Sequence, residues 1–239
     1  MPRQWKISNI KKNSLLILKR TYIDQIIAFF ILSKLTEGIF DVVLKVIELQ
    51  TNIDFISFVD LLDAGEIIDM GFKSILINIV LMFSIYFIIK TVVGGPLEVG
   101  YSHFLTNVLK DEKDISDIVY GFENNALKNM RLSVYRYGII ILKCLLLIVP
   151  GLIAYFDYLF AGFIAADYPN LSNKEILNLS KKMMKGNKWK YFLVLLSLFI
   201  LGILSNFVGI IAYAFLGPYM HLIIANIYKE TKENMEGMV

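Results

Sequence analysis

The sequence predicts an all-α protein, a polytopic bundle of about six transmembrane helices with cytoplasmic N and C termini and amphipathic interfacial helices. Its 239 residues are 56% hydrophobic and only 19% charged, whereas a soluble domain is about a quarter charged and under half apolar. Long apolar stretches recur along the chain, and basic residues concentrate between them. This pattern excludes a disordered protein, a nucleic-acid-binding protein with an extended basic face and most cytosolic enzymes.

The apolar stretches define one integral membrane domain over residues 1–239. A spanning helix requires about 20 apolar residues, and the candidate spans cover residues 22–46, 74–93, 133–149, 151–167, 189–204 and 207–228. Pro150-Gly151 divides the third span from the fourth, and Ser205-Asn206 lies near the division between the last two. Each divided block crosses the membrane either twice, as two short helices, or once, as one tilted helix.

Charge placement favours two crossings per block, because Lys and Arg accumulate on the cytoplasmic side of a membrane protein. Basic residues cluster in both terminal tails, in Lys90–Arg136 and in Tyr168–Lys190, whereas Val46–Phe72 carries acidic residues and no basic one. All the basic stretches face the cytoplasm only with six spans. The first apolar run has no small-residue cleavage site, so we interpret it as a retained helix rather than a signal peptide.

Two amphipathic helices are predicted at the inner interface, one over Trp5–Lys19 and one over residues 173–185. Ser172 and Glu175 have the spacing of a capping box at the start of the second helix, and Gly186 is suited to end it. The candidates for binding anionic lipid headgroups follow on or after this helix: Lys181, Lys182, Lys185, Lys188, Trp189 and Lys190. Alternatively, these lysines only enforce the topology.

The outer segment Asp54–Asp69 alternates acidic and apolar residues. It is interpreted as an amphipathic surface helix with a solvated acidic face, and the alternative is a region that collects cations.

Charged residues inside a membrane are costly and mark pairs, pathways or cavities. Lys143 and Asp157 lie seven residues before and after Pro150, so a hairpin turning at Pro150-Gly151 would place them at the same depth. We therefore predict that they face each other, as a structural ion pair or, alternatively, as part of a transport or proton pathway. A Lys143→Ala/Asp157→Ala double variant should then recover the folding yield that Asp157→Asn loses.

The first span carries a second charged set, Lys34, Glu37 and Asp41, followed by Lys45 and Glu48. Spacings of three and four residues place these side chains on one helix face. That face lines a water-filled cleft or belongs to a helix that extends beyond the bilayer. The pairs Gly95-Pro96, Pro150-Gly151 and Gly217-Pro218 are candidate helix breaks of the kind found near transporter sites.

Motifs for catalysis and metal binding are missing from the sequence: it has no HExxH, Walker A, GxSxG or GxGxxG pattern. The single Cys144 lies among leucines and is interpreted as a packing residue. We therefore expect no enzyme activity, no catalytic residue, no metal and no cofactor.

A resemblance to a known family is carried by the following segments: Gly95-Pro-Leu-Glu-Val-Gly100, Ile118-Val-Tyr-Gly-Phe122, Ile148-Val-Pro-Gly-Leu-Ile153, Asp167-Tyr-Pro-Asn-Leu-Ser172, Ser180–Phe192 and Leu216-Gly-Pro-Tyr219. They resemble the domain of unknown function 975 family (DUF975) of bacterial integral membrane proteins. Asp157 departs from the family pattern, in which this position is commonly basic. The resemblance implies a polytopic helical protein of the bacterial cell membrane with no established activity.

Two functions are expected from these features. The first is a non-enzymatic protein of the bacterial cytoplasmic membrane that binds a lipid, peptide or protein partner, such as an accessory to envelope-stress or antimicrobial-peptide defence. The alternative is a small transporter or permease subunit with a polar intramembrane site. With either function, the expected partners of the protein are the lipid bilayer, anionic lipid headgroups or another membrane protein, and not nucleic acid.

Overall fold

A computed structural model describes residues 6–51, 72–186, 188–205 and 210–236, although not every side chain within these ranges. Its helices are α1 Ile7–Arg20, α2 Tyr22–Thr51, α3 Phe72–Val92, α4 Gly94–Val108, a 3-10 helix Ile115–Val119, α5 Tyr120–Glu123, α6 Ala126–Leu146, α7 Ile148–Asp157, α8 Ala161–Asp167, α9 Asn173–Met184, α10 Lys188–Ser205 and α11 Ile210–Glu236. No strand occurs in the described ranges. The predicted all-α class is confirmed.

Helix α4 lies at the centre of the bundle and contacts α2, α3, α5, α6, α8, α11 and the 3-10 helix. Two glycines allow its backbone to approach its neighbours closely. A Cβ atom on Gly100 would lie 1.9 Å from the Ile118 carbonyl oxygen, and one on Gly121 would lie 1.9 Å from the Pro96 carbonyl oxygen. Only a residue without a side chain fits at these positions.

Helix α1, Ile7–Arg20, nearly coincides with the predicted amphipathic segment Trp5–Lys19 and packs along α11. It buries Ile10, Ser14 and Leu18 at helical spacing. Within that contact, the Asn226 amide donates a hydrogen bond of 2.8 Å to the Ser14 hydroxyl. The apolar face of α1 therefore packs against protein, and the helix leaves Leu16 50% exposed.

The predicted position of the turn at Pro150-Gly151 is wrong. The chain turns at Leu147, whose backbone is extended with φ −162° and ψ 145°, and α7 begins at Ile148. Pro150 lies in the first turn of α7, where its missing N–H breaks no helical hydrogen bond. Gly151 lies within α7, and a Cβ atom there would meet the Sγ atom of Cys144.

The other predicted breaks differ from each other. Helix α3 ends at Val92 and α4 begins at Gly94, with a bend of 40° between them, so a break lies next to Gly95-Pro96. Pro218 instead lies inside the continuous helix α11. The Gly217 carbonyl oxygen accepts a 2.9 Å hydrogen bond from the ring Nδ1 of His221, one turn later.

Within the described ranges, one helical stretch, Ile148–Asp167, is long and apolar enough to cross a membrane, and 61% of its apolar window is buried. The bent pair Val80–Val92 and Gly94–Val108 satisfies the same test as a broken span or a re-entrant loop. Buried helices in soluble proteins can share these properties, so the six-span topology stays a prediction. The acidic segment Asp54–Asp69 lies outside the described residues.

The local features around α9 agree with the sequence analysis. Ser172 and Glu175 form the predicted capping box, with a 2.8 Å hydrogen bond from the Ser172 backbone N–H to the Glu175 carboxylate. The hydrogen bond from the Ser172 hydroxyl and, after it, the one from the Ser172 backbone lower the pKa of Glu175. Gly186 follows the helix with φ +84°, the left-handed conformation that favours glycine.

Candidate functional site

A cavity of about 240 Å³ lies inside the bundle beside α4. Its polar wall includes Lys90, Glu98, Arg136 and Tyr137, and its apolar wall includes Leu32, Ile140, Leu159, Phe163 and Ile224. These residues come from α2, α3, α4, α6, α8 and α11 and from the turn between α7 and α8. Concave sites with an apolar lining and a few convergent polar groups are the usual form of a small-ligand site.

Glu98 and Arg136 form the central ion pair of this wall. Arg136 Nη1 donates a 2.6 Å hydrogen bond to Glu98 Oε1, and Nη2 donates a second to Oε2, so the pairing is bidentate. The same Nη2 donates a 2.8 Å hydrogen bond to the Tyr137 hydroxyl, which lies 3.4 Å from Glu98 Oε2. A guanidinium held at three points in this way is fixed in orientation.

The register of α4 against α6 explains why these two charges meet. A Cβ atom on Gly95 would lie 2.5 Å from Ser133 Oγ, so the two helices are in close contact at that level. Glu98 follows Gly95 by three residues, and Arg136 follows Ser133 by three residues. Residues three positions apart lie on the same helix face, so the glycine contact sets the two charged side chains opposite each other.

A third of the Glu98 side chain is accessible, while 8% of the Arg136 side chain is. Because Glu98 lines the cavity, its accessible surface faces that space. The cavity wall therefore exposes a carboxylate whose charge is already neutralised by a buried arginine.

Two further polar groups line the cavity. Tyr101 is 2% exposed, and its hydroxyl has no hydrogen-bond partner among the described residues. The ring of His221 lies 5.1 Å from the ring of Tyr101 in an edge-on arrangement. The Nδ1 atom of His221 is assigned a proton, because it faces the Gly217 carbonyl oxygen at 2.9 Å. A buried hydroxyl without a partner costs free energy, and a ligand in the cavity could supply that partner.

The predicted pairing of Lys143 with Asp157 is wrong. Asp157 is buried, and its Oδ1 atom lies 2.5 Å from Lys188 Nζ at the start of α10. With the turn at Leu147, Lys143 lies about 6 Å and Asp157 about 15 Å from the turn, at 1.5 Å per residue. The two side chains are therefore at different depths in the hairpin.

The end of α7 is also tied to α9. The Ser180 hydroxyl donates a 2.8 Å hydrogen bond to the main-chain oxygen of Asp157, and the Phe160 N–H donates to the same hydroxyl at 3.3 Å. Asp157 thus belongs to a structural junction of α7, α9 and α10, apart from the residues that line the cavity.

The other predicted site residues are distributed over the surface. Lys34 and Asp41 are exposed on α2, and the side chain of Glu37 lies outside the described residues. Lys181, Lys182 and Lys185 are exposed, and Trp189 is 68% exposed with its ring stacked on Phe192 at 5.2 Å. Lys188 differs from this group, because Asp157 engages it. Cys144 is a free, exposed thiol beside Gly151.

A second polar cluster holds the Asp167-Tyr168 segment against the end of α11. Asp167 Oδ2 accepts hydrogen bonds of 2.8 Å from the Tyr228 hydroxyl and 2.7 Å from Lys232 Nζ. The Lys232 ammonium also lies 4.8 Å from the centre of the Tyr168 ring. Partial burial alone would lower the pKa of Lys232, but the hydrogen bond and attraction of Asp167 outweigh burial and raise it.

The residues that line the cavity are not among those predicted from the sequence. The sequence predicts that Arg136 belongs to a basic stretch on the cytoplasmic side, and it does not predict that this side chain is buried against Glu98. The available signal was Glu98 itself, a charged residue within an apolar stretch between Gly95 and Gly100. Among the described residues, no group of three or more His, Cys, Asp or Glu is placed to hold a metal ion.

Comparison with known proteins gives one match. The family model described as "Protein of unknown function (DUF975)" matches residues 3–235, nearly the whole chain. We found no match among curated proteins and none among solved structures.

Proposed function

The chain belongs to the DUF975 family, and on that premise we propose that it is a six-span protein of the bacterial cytoplasmic membrane that binds a lipid, peptide or protein partner and catalyses no reaction. The observation that carries the binding function is the cavity beside α4 with the Glu98–Arg136 pair in its wall. A buried ion pair is costly to desolvate, and a cavity that keeps one beside an unpartnered Tyr101 hydroxyl is suited to a polar ligand group.

The exposed surface supports the membrane part of the proposal. The end of the α6–α7 hairpin presents a continuous run from Leu145 to Val149 in which each side chain is 66–78% exposed. Helix α3 exposes a further set of large apolar side chains: Val80, Leu81, Phe83, Tyr86 and Ile88. Large exposed apolar patches on a protein mark contact with a membrane or a partner.

Membrane topology can be tested with an impermeant maleimide on intact cells and on inverted vesicles. In a Cys144→Ser background, single variants Lys113→Cys and Lys181→Cys should react only in inverted vesicles, and Asp60→Cys only in intact cells. This pattern follows from the positive-inside rule. Resistance of the protein to carbonate extraction is expected as well. Reaction of Lys113→Cys in intact cells, or release of the protein by carbonate, would contradict the proposed topology.

The binding function can be tested by mass spectrometry of molecules retained by the protein in lipid nanodiscs. A retained lipid, peptide or protein that is lost from an Arg136→Met/Glu98→Gln double variant would support it. Arg131→Met is a matched control, because Arg131 is exposed on the same helix. Retention of no molecule by the wild-type protein would count against it.

A specific observation favours transport as a second candidate function. The 40° bend between α3 and α4 lies between Lys90 and Glu98, so the cavity is lined from both sides of a helix break. Broken helices of this kind form substrate sites in transporters. Ser102 also lines the cavity, and a Ser102→Cys variant tests access. Alternating access predicts reaction with the impermeant maleimide from both faces of the membrane, whereas a binding site with one entrance predicts reaction from one face.

A further inference from the structure

We propose that the cavity beside α4 binds an amphiphile that carries a single oxyanion, with the anion against Lys90 and the Tyr101 hydroxyl and the apolar part along Ile140 and Leu159. This inference rests on the proposed binding function and names the chemical class of its ligand. It depends on the balance of charge and of hydrogen-bonding groups inside the cavity.

The charge balance of the lining is +1. Glu98 and Arg136 neutralise each other through two hydrogen bonds. Lys90 remains. Its charge acts on the Glu98 carboxylate from a distance, but its ammonium group forms no ion pair within the described part of the chain. Like Glu98, Lys90 lines the cavity, and it does so from α3, on the other side of the helix bend. A cation in a half-buried site is stabilised by a partner of opposite charge.

The groups left unsatisfied are hydrogen-bond donors. Both oxygens of Glu98 are already engaged by Arg136, so the carboxylate has less capacity left to bind a cationic ligand. The buried Tyr101 hydroxyl has a proton to donate and no hydrogen-bond partner among the described residues. The Lys90 ammonium also has protons to donate and forms no ion pair with a described residue. A carboxylate or a phosphate diester carries one negative charge and accepts several such bonds at once.

The remainder of the lining is apolar. Leu32, Ile140, Leu159, Phe163 and Ile224 form this part. A volume of about 240 Å³ corresponds to roughly eight water-sized groups at about 30 Å³ each. This space holds an anionic head with a short stretch of hydrocarbon, and the rest of a longer chain would leave the cavity. The head group of an anionic lipid and the carboxylate of a free fatty acid share this chemistry.

The test uses the full chain in phosphatidylcholine nanodiscs and radiolabelled octanoate as the probe. Binding is measured by equilibrium dialysis, with empty nanodiscs subtracted. We expect saturable binding that Lys90→Met weakens about tenfold or more, since it removes a charge-assisted hydrogen bond, and that Lys90→Arg largely retains. Tyr101→Phe should weaken binding about threefold, because it removes one neutral hydrogen bond.

Matched controls are Lys113→Met and Tyr135→Phe, which change exposed side chains of the same types. Both should bind octanoate as the wild type does, and thermal melting of every variant shows whether it is folded. The cation octyltrimethylammonium should not compete. Competition by phosphatidylglycerol added to the disc would identify a lipid head group as the resident ligand, and its failure to compete would identify a free amphiphile.

Equal octanoate affinity in the wild type and Lys90→Met would overturn the inference, and so would effective competition by octyltrimethylammonium. In either case a molecule retained by the wild-type protein in the mass-spectrometry test would leave the proposed binding function standing. Retention of no molecule by the wild-type protein would instead remove the binding function on which this inference rests.

Discussion

Among the described residues, two ion pairs each have one deeply buried member, and in these pairs the acid and the base exchange roles. In the Glu98–Arg136 pair, the arginine side chain is 8% accessible and the glutamate 33%. In the Asp157–Lys188 pair, the aspartate side chain is 4% accessible and the lysine 34%. The first pair presents its acid to an internal cavity, whereas the second presents its base to the surface.

The two pairs therefore differ in which member depends on its partner. The guanidinium of Arg136 binds both oxygens of Glu98 and fixes the geometry of the cavity wall. The ammonium of Lys188 makes a single contact with Asp157 and can be solvated without it. Removing the partner of a buried charge is strongly destabilising, because the charge is left uncompensated. In each pair, substituting the partner of the more buried residue should therefore cause the larger loss of stability.

The largest effect is expected for the cavity pair. Glu98→Gln leaves the buried Arg136 without a counter-ion and should lower the free energy of unfolding by about 3–5 kcal/mol. Arg136→Met/Glu98→Gln should recover part of this loss, because both charges are then absent. Unfolding by SDS titration in detergent micelles measures both variants. Arg131→Met is the exposed control and should change stability by less than about 0.5 kcal/mol. If Glu98→Gln lowers the free energy of unfolding no more than Arg131→Met does, the pair does not contribute to stability as a buried ion pair.

The surface-facing pair should respond asymmetrically. Lys188→Met leaves the buried carboxylate of Asp157 unpaired and should cost about 3 kcal/mol, whereas Asp157→Asn leaves a lysine that water can reach and should cost about 1 kcal/mol. The same titration measures both. Lys143→Met tests the partner predicted from sequence and should cost less than either. A larger loss for Lys143→Met than for Lys188→Met would favour the sequence-based pairing.

The close approach of α4 to its neighbours should be the next most sensitive feature. Gly100→Ala places a methyl group 1.9 Å from the Ile118 carbonyl oxygen, so the backbones must separate, at a cost of about 1–3 kcal/mol. Gly138→Ala is the matched control, because a Cβ atom at Gly138 meets nothing within 4 Å. In the helix interior this control should stabilise the protein by about 0.5–1 kcal/mol. Thermal melting of both purified variants is the measurement, and an equal effect of the two changes would argue against backbone contact.

The smallest effect is expected at the solvent-exposed acid of the α9 capping box. Ser172→Ala should lower stability by about 1 kcal/mol through loss of the cap.

The same capping box predicts a pH dependence of stability. Hydrogen bonds from Ser172 lower the pKa of Glu175 in the folded protein. The contribution of Glu175 to the free energy of unfolding is therefore present above its unfolded pKa and is lost as pH falls through its folded pKa. The stability difference between the wild type and Glu175→Gln, measured from neutral pH to below pH 4, should therefore shrink. A constant difference would show that Glu175 has the same pKa in both states.

Local features were predictable because they depend on residues close together in the chain. The capping box at Ser172, the glycine end of α9 at Gly186 and the amphipathic helix α1 follow from spacings of a few residues. The sequence did not locate the connection between α6 and α7, because Pro150 is compatible both with an interhelical turn and with the first turn of a helix. Moving the turn by three residues, to Leu147, was enough to separate Lys143 from Asp157 in depth.

The helical class and the clustering of basic residues follow from composition and short-range periodicity. The family follows from the resemblance of several segments and from the family-model match over residues 3–235. Which charged side chains are in contact is visible in the folded structure and not in the sequence. Glu98 and Arg136 are 38 residues apart in the chain, and their contact depends on the register at which Gly95 lets α4 approach α6. Such a register is set by packing between helices that are distant in sequence. The cavity therefore became visible only once the helices were placed together.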